Sequence, residues 1–376
     1  MNICIITSSY PLNETDASAA AGMFVQDFAR TLSRQGHQVT VLTQAKPGEA
    51  KVDPLVNVVR FDWSGGGKRL STLQLKKPTD LLNILSVMRN GERALFNLLK
   101  EKKMDLIIAM WAVPAGVWAY RAFKKFGVPY VTWTLGSDIW IYGRKKLTSN
   151  IVKTVLTHSA KLFSDGEALR LETEKIAGKP CAFLPTTRTL PIENMPNIDF
   201  NPNKINFLFV GRFHPHKGID ILIDAVNLLE NEIKNQSHFY IYGGGELEEE
   251  LRQKTSNLQL KNISFGGYAD ANKVSALMRS AHFLIIPSRE ESIPVVMSDA
   301  LQCGLPMIVS KVGDMGDLMD KYKVGYSFES ENAAELAEKI KFAFGDSKEK
   351  YEENILIMKS IFDIDTIAAT LIEKVV

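Results

Sequence analysis

One segment decides the fold of this chain: residues 284–309, which read LIIPSREESIPVVMSDALQCGLPMIV. A short apolar run predicts a buried strand, and an acidic loop, a helical pattern and a second apolar run follow it. Glu291 falls in the loop and Asp299 in the helix, so that two carboxylates stand eight positions apart. Open parallel sheets bind ligands at the loops that follow their strands. The pattern therefore indicates a ligand site, although two carboxylates at this spacing also occur by chance.

The composition is that of an ordinary globular protein, with 376 residues, 45% hydrophobic and 23% charged. This length predicts about two domains, and the net charge of +2 argues against nucleic-acid binding. Cys4, Cys181 and Cys303 are scattered in apolar surroundings, which favours buried thiols over disulfides or a metal site. Since we find neither a signal-peptide pattern nor an apolar run of transmembrane length, we expect a cytoplasmic protein.

Strand–loop–helix patterns recur through the first half of the chain. An apolar run at residues 2–7 leads through a loop to Gly22 and an amphipathic helix. A glycine before a helix lets backbone N–H groups approach an anion, but a tight turn is the simpler explanation of Gly22 alone. Further apolar runs end before Trp111 and before residues 135–138. Asp138 there is expected either to cap a helix or to contact a substrate.

The second half begins after a stretch rich in proline and asparagine at residues 191–203, which predicts a linker. A buried strand at residues 205–210 is followed by a glycine-bounded loop and a helix. Arg212 and Lys217 in this loop stand where a diphosphate would meet the helix N-terminus, and both side chains suit phosphate oxygens. Surface cations are common in loops, but their position between strand and helix favours the phosphate role.

Residues 60–103 are basic and amphipathic, with ten lysines and arginines against four acidic residues and many leucines between them. Such a face predicts peripheral contact with an anionic membrane surface, here the inner face of the membrane. A solvated helix that covers the sheet explains the same pattern equally well.

These segments resemble the retaining glycosyltransferases of family 4, which have the GT-B fold. The resemblance rests on the Gly-Arg…Lys-Gly segment at 211–218 and on the E-x7-E-like segment, in which Asp299 replaces the second glutamate. It extends over nearly the whole chain, but Leu135 stands where relatives often carry histidine.

The resemblance implies an α/β fold in which two Rossmann-like doubly wound domains face each other across a cleft. Residues 1–190, completed by a helix at 363–376, would form the acceptor-side domain. Residues 203–357 would form the domain that binds the nucleotide sugar.

The implied reaction transfers a sugar from a UDP- or GDP-sugar to a hydroxyl of a glycan or lipid-linked sugar, with retention, in the synthesis of cell-surface polysaccharide or glycolipid. Arg212 and Lys217 would neutralise the leaving diphosphate, so no metal or other cofactor is expected, and Glu291 would hold the donor sugar. The other implied donor contacts are Gly22, Gly211, Gly243, Tyr268, Ser292, Ile293, Pro294 and, at the ribose, Asp299. The implied acceptor-side residues are Trp111, Gly136 and Asp138.

Two alternatives on the same fold stay open at this point. One is a sugar-nucleotide 2-epimerase, which would release the nucleotide without needing an acceptor. The other is a non-catalytic protein that binds nucleotide sugars, which the departures at Leu135, Asp299 and Asp314 favour.

Overall fold

The computed structural model describes residues 1–13, 16, 22–68, 70–74, 76–146, 148–193 and 195–375. The chain divides into two compact units, of which the first comprises Met1–Arg188 and Ile364–Val376 and the second Thr189–Asp363. Each unit is built on one parallel sheet, with helices between most of its successive strands.

The first unit alternates strands and helices, as the apolar runs predict. Its elements are β1 (Asn2–Ile6), α1 (Met23–Arg34), β2 (Gln38–Gln44), β3 (Asn57–Phe61), α2 (Pro78–Glu101), β4 (Leu106–Met110), α3 (Val117–Phe126), β5 (Tyr130–Thr134), α4 (Ser149–His158), β6 (Leu162–Ser164), α5 (Glu167–Ala177) and β7 (Ala182–Phe183). Short helical turns span Leu70–Thr72, Ala112–Gly116 and Asp138–Tyr142. Among the described residues, seven strands pair in parallel in the order β3-β2-β1-β4-β5-β6-β7. The central strands β1 and β4 are almost entirely apolar, because helices cover both faces of the sheet.

The second unit repeats this design. Its elements are β8 (Ile205–Arg212), α6 (Ile219–Leu228), α7 (Asn231–Gln236), β9 (Ser237–Gly244), α8 (Glu248–Asn257), β10 (Ile263–Gly267), α9 (Ala271–Ser280), β11 (Phe283–Ile286), α10 (Val295–Gln302), β12 (Met307–Ser310), α11 (Met315–Tyr322), β13 (Gly325–Phe328), α12 (Ala333–Phe344) and α13 (Glu352–Lys359). Short helical turns span Pro215–Lys217, Lys348–Tyr351 and Ser360–Phe362. The six described strands pair in parallel in the order β10-β9-β8-β11-β12-β13.

The last helix, α14 (Ile364–Glu373), belongs to the first unit. Its buried side chains Ile367, Ala368 and Leu371 join the apolar cluster that α1 and β1 form on one face of the sheet. The Gln35 side chain also donates a hydrogen bond to the Asp365 carbonyl at 2.9 Å. The chain end thereby covers a face that the preceding elements of this unit leave open.

The boundary between the units differs from the expected linker at 191–203. Leu190 N donates to Gln302 Oε1 at 3.0 Å, and Ser275 Oγ donates to the Pro191 carbonyl at 2.6 Å. The Phe200 ring stacks on Tyr240 with 3.9 Å between ring centroids. These contacts attach the segment to the second unit, which therefore begins near residue 189 rather than 203 and runs to 363 rather than 357.

Both sheets have a point at which the strand order reverses. In the first, β1 lies between β2 and β4, and Ile5 pairs with both Val41 and Ile108. In the second, β8 lies between β9 and β11, and Phe207 pairs with both Phe239 and Phe283. The loops that leave the two central strands at such a point diverge and open a crevice for a ligand.

Candidate functional site

The candidate site of the second unit lies where its strand order reverses. Because β8 and β11 are parallel neighbours, the loops that follow them leave the same edge of the sheet. Arg212 is the last residue of β8, Lys217 lies in the loop that follows it, and Glu291 lies in the loop after β11. The three residues that are expected to contact the diphosphate and the donor sugar are therefore placed at the same edge of the sheet.

Lys217 and Glu291, 74 residues apart in the chain, form an ion pair in which Lys217 Nζ donates to Glu291 Oε1. The two side chains are only 23% and 16% exposed, so the pair is better shielded from water than a surface salt bridge. Arg212 ends β8 and is exposed, and its guanidinium makes no hydrogen bond or ion pair with any residue that the structure describes. One cation is thus held in place, and the other is open to a ligand.

Two glycines let the loops approach each other closely. Gly218 has φ +62°, and a Cβ at this position would lie 1.9 Å from the Pro287 carbonyl oxygen of the β11 loop. Gly243 has φ +144°, and its Cβ would lie 1.8 Å from the carbonyl oxygen of Gly211, its partner in the β8–β9 ladder. Larger residues at these two positions would therefore push the β8 loop away from its neighbours.

Arg289 ties the two loops together. Its Nη1 and Nη2 donate to Asp220 Oδ1 and Oδ2 at 2.8 and 2.7 Å, and Nη1 also donates to the Pro215 carbonyl at 2.7 Å. Its backbone N–H donates to the His216 carbonyl at 2.7 Å, and its side chain also forms an ion pair with Glu331. Partial burial opposes ionisation of Asp220, but the hydrogen bonds from Arg289 outweigh this effect and lower the pKa of the carboxyl.

Arg289 and Asp220 are not among the site residues expected from the sequence. A signal was present, because Arg289 stands two residues before Glu291 and Asp220 two residues after Gly218. Both positions therefore lie in or beside the loops that the sequence marks as functional. An arginine and a carboxylate in two such loops are candidates for a bidentate pair.

The other predicted donor contacts are placed around the same two loops or farther along the sheet edge. Ile293 and Pro294 are buried before α10, and the Ser292 carbonyl accepts from Asp314 N at 3.4 Å. Tyr268 follows β10 and is 58% exposed. Asp299 lies in α10 and is only 1% exposed, so little of its surface is available to a ribose. These positions remain predicted contacts.

The residues predicted to lie on the acceptor side, Trp111, Gly136 and Asp138, are in the loops after β4 and β5 of the first unit. Asp138 is fully buried, and its carboxylate accepts from Ala112 N at 2.8 Å and from Leu135 N at 3.2 Å. Burial raises the pKa of Asp138 to about 6, against the opposing effect of these backbone donors. The Asp138 carboxylate therefore holds the loops after β4 and β5 together. Because the side chain is fully buried, it is not placed to contact an acceptor directly.

Trp111, Gly136 and Gly22 line the same edge of the first sheet. Trp111 has φ +70°, its N–H donates to the Trp133 carbonyl at 2.9 Å, and its ring meets Phe24 edge-on. Gly136 accepts from Ile139 N at 3.0 Å. Gly22 comes directly before α1 and packs against Ser9, so that a Cβ on Gly22 would lie 2.4 Å from the Ser9 carbonyl oxygen. This close packing explains the need for glycine at position 22 as well as an anion contact does.

The two histidines of the β8 loop take part in local contacts. Their rings stack with 4.6 Å between centroids, and His214 and His216 lie 3.5 and 3.2 Å from Glu246 and Glu290 respectively. Across the described ranges, no three His, Cys, Asp or Glu side chains come together in a way that could hold a metal ion.

Comparisons with known proteins agree with this architecture. Residues 192–355 match the family model "Glycosyl transferases group 1", and residues 20–178 match "Glycosyl transferase 4-like domain". An uncharacterized glycosyltransferase of Methanocaldococcus jannaschii is 27% identical over 269 residues, which are 71% of this chain and 72% of that relative. The UDP-Gal:alpha-D-GlcNAc-diphosphoundecaprenol alpha-1,3-galactosyltransferase of Escherichia coli is 24% identical over 260 residues, or 63% and 65% of the two chains.

The solved structure of Anabaena HepE in complex with UDP-glucose is similar in fold, with a TM-score of 0.70, 18% identity, and 99% and 98% of the two chains covered. The fold is therefore that of the GT-B glycosyltransferases. The matches to both halves of the chain, together with the relatives, support a glycosyltransferase of the family-4 type.

Proposed function

We propose that this chain is a retaining glycosyltransferase that moves a sugar from a nucleoside-diphosphate donor to a hydroxyl acceptor without a metal ion. The observation that carries the proposal is the convergence of Arg212, Lys217 and Glu291 where the strand order of the second sheet reverses. UDP-glucose in the Anabaena structure and UDP-Gal in the name of the Escherichia coli relative support a UDP-sugar donor. The latter name also supports a lipid-linked sugar as acceptor. The proposed setting, as the family resemblance implies, is the synthesis of cell-surface polysaccharide or glycolipid.

The chemistry requires charge on the diphosphate to be stabilised as it develops. The bond from C1 of the sugar to the diphosphate breaks, and a bond from C1 to the acceptor oxygen forms on the same face. The hydroxyl proton passes to the leaving phosphate oxygen. Arg212 and Lys217 neutralise the charge that appears on this group, and an ammonium has enough N–H donors to keep Glu291 while it binds phosphate.

Glu291 has a binding role in this proposal. Retaining glycosidases place a carboxylate nucleophile about 5 Å from a second carboxyl group. Glu291 is instead bound to Lys217, which fixes its orientation. From that position it accepts hydrogen bonds from hydroxyls of the donor sugar.

We expect turnover to continue in EDTA, because Arg212 and Lys217 supply the positive charge that a divalent ion supplies in other enzymes. We also expect the product to keep the anomeric configuration of the donor, because the acceptor attacks C1 from the face that the diphosphate leaves. The measurement is donor cleavage by NMR, with water as acceptor, over a panel of UDP- and GDP-sugars with and without EDTA. Loss of turnover that magnesium or manganese restores would refute the metal-free reaction. An inverted product would refute retention.

Asp299 provides a separate test of the ribose contact. Asp299→Asn removes a charged acceptor, and we expect UDP binding to weaken about five- to tenfold. We also expect Asp299→Glu to weaken binding, because an added methylene crowds a position that is 1% exposed. The measurement is calorimetry with UDP, and thermal unfolding shows whether each variant is folded. Equal affinity in all three proteins would remove the ribose role.

We further propose that the surface of α2 contacts an anionic membrane, at the cytoplasmic face. One stripe of this helix, including Val87, Gly91 and Leu95, is buried, and a Cβ at Gly91 would lie 2.4 Å from the Trp118 ring. The opposite side exposes Leu82 and Leu85, at 64% and 57%. Within the described residues, no helix combines the length and the apolar character needed to cross a membrane.

Cations border these leucines, which favours anionic lipid over a purely apolar partner. Lys76 and Lys77 before the helix and Arg89 within it are exposed. Lys68 pairs with Asp80 at 3.1 Å, while Arg69 lies outside the described residues.

We expect Leu82→Glu with Leu85→Glu to reduce binding to vesicles that contain an anionic phospholipid by about tenfold or more, because both apolar contacts and net positive charge are lost. The measurement is co-sedimentation with anionic and with neutral vesicles. Leu356→Glu is the matched control, since Leu356 is 66% exposed in the other unit. Unchanged sedimentation of the double variant would assign this face to solvent.

A further inference from the structure

A cavity of about 670 Å³ lies in the first unit beside α1 and β3. Its volume is in the range of small-molecule pockets, about 300–1,000 Å³. Tyr10, Gln26 and Arg60 line one part of the cavity, and the segment 50–58 closes another. None of these residues takes part in the site described above.

Two donors at this cavity are buried without acceptors. Arg60 Nη2 donates to the Pro11 carbonyl at 2.7 Å, whereas Nη1 is buried and unpaired within the described part of the chain. Tyr10 is 1% exposed, and its hydroxyl makes no hydrogen bond within the described residues, although the Gln26 side chain lies near enough to oppose the rise that burial causes in the pKa of the phenol. The Arg60 guanidinium carbon lies 5.9 Å from the centre of the Tyr10 ring. Buried donors are normally paired, so this pair indicates an acceptor that is not part of the folded chain.

Two described carboxylates near Arg60 and Tyr10 form ion pairs with other cations. Asp53 pairs with Arg30 at 2.8 Å, and Asp16 pairs with Lys46 at 3.2 Å. Burial lowers the pKa of Arg60, and its interactions with Tyr10 and Asp16 offset this effect only in part. The cavity therefore holds an excess of positive charge and hydrogen-bond donors, a combination that suits an anion.

We infer that this cavity binds an oxyanion, a phosphoryl or carboxylate group, through Arg60 Nη1 and the Tyr10 hydroxyl. The Pro11 carbonyl fixes one edge of the guanidinium, which leaves the other edge to meet the ligand in a defined orientation. Because the cavity belongs to the acceptor-side unit, the oxyanion is a group of the acceptor substrate. Only this last assignment rests on the proposed function.

The test is calorimetric titration of the full chain with inorganic phosphate and, separately, with acetate at constant ionic strength. We expect at least one of the two anions to bind, and Arg60→Met to weaken this binding about tenfold or more, since a charge-assisted hydrogen bond is lost. Tyr10→Phe should weaken it severalfold without altering the ring. A preference for phosphate indicates a phosphorylated acceptor, and a preference for acetate a carboxylated one.

One control separates this cavity from other cations. Arg93→Met removes an exposed arginine of α2 in the same unit and should not change the affinity that Arg60→Met lowers. The inference is overturned if neither anion binds the wild-type chain at tens of millimolar, or if Arg60→Met and Tyr10→Phe, both folded by circular dichroism, bind as the wild type does. Because the titration needs no donor and no turnover, its failure is distinct from a failure of the proposed reaction.

Discussion

Replacing Lys217 with alanine should lower the maximal rate of donor cleavage by about 10²–10³, and Arg212→Ala should do the same. Each variant removes a cation that the proposed reaction uses to stabilise charge on the leaving diphosphate. Lys217→Ala has a second consequence, because Glu291 is only 16% exposed and loses the partner that holds it. Its sugar-binding orientation then changes as well. We therefore expect Lys217→Ala to raise the donor KM more than Arg212→Ala does.

The matched control is Lys341→Ala, which removes a lysine of the same unit that pairs with Glu230 at 2.7 Å on an exposed surface. Its rate should equal that of the wild type. Rates are compared with the melting temperature of each variant, because loops at the edge of a sheet contribute little to stability. Near-normal turnover in folded Lys217→Ala and Arg212→Ala would show that neither cation contacts the diphosphate.

The strands and glycines of the site follow from local sequence, but the strand order does not. The apolar run of β8 and the glycine after Lys217 predict a strand, a phosphate-facing loop and a helix at these positions. That Phe207 pairs with Phe283 depends on a contact between segments 76 residues apart. Only this pairing brings Lys217 beside Glu291. The family resemblance predicts that the two loops form one site, whereas the spacing of the residues along the chain does not.

Asp138, in the first unit, also has contacts that local sequence does not predict. A residue at the start of a helix predicts an N-cap or a substrate contact, and both depend on local geometry. In the structure, the Asp138 carboxylate instead accepts hydrogen bonds from Ala112 N, 26 residues earlier, and from Leu135 N. Tyr10 and Arg60 likewise carry no special signal in the sequence. Tyr10 lies in the loop after β1 and Arg60 lies in β3, and their unpaired donors can be recognised only once the order β3-β2-β1 is known. Such pairings depend on which loops the sheet order places side by side.

Arg289→Met should lower the turnover number by about tenfold to a hundredfold, although Arg289 is assigned no contact with the donor. Its guanidinium binds Asp220 in a bidentate pair and also donates to the Pro215 carbonyl, two residues before Lys217. Without this clamp the β8 loop loses its fixed distance to the β11 loop, and a displacement of about 1 Å at a reacting group can cost about 10² in rate. Arg289→Lys should restore little, because an ammonium cannot replace the planar fork.

A purely stabilising role would give a different pattern, which the turnover number and the melting temperature separate. If Arg289 only stabilises the unit, the variants melt earlier but turn over normally well below their melting temperatures. If it positions Lys217, the turnover number falls in protein that is fully folded. Lys311→Met removes another cation in an ion pair, with Glu329 at 2.9 Å, and should change neither quantity by much.

A double-mutant cycle with Asp220→Asn tests the clamp itself. Asp220 and Arg289 act on the β8 loop through one bidentate contact, so breaking it from either side should produce much of the same loss. We therefore expect the double variant to be little slower than Arg289→Met alone. Losses that multiply would mean that the two residues act independently. The position of Lys217 would then have to depend on the glycine contacts at Gly218 and Gly243, where φ is positive and a side chain cannot be accommodated.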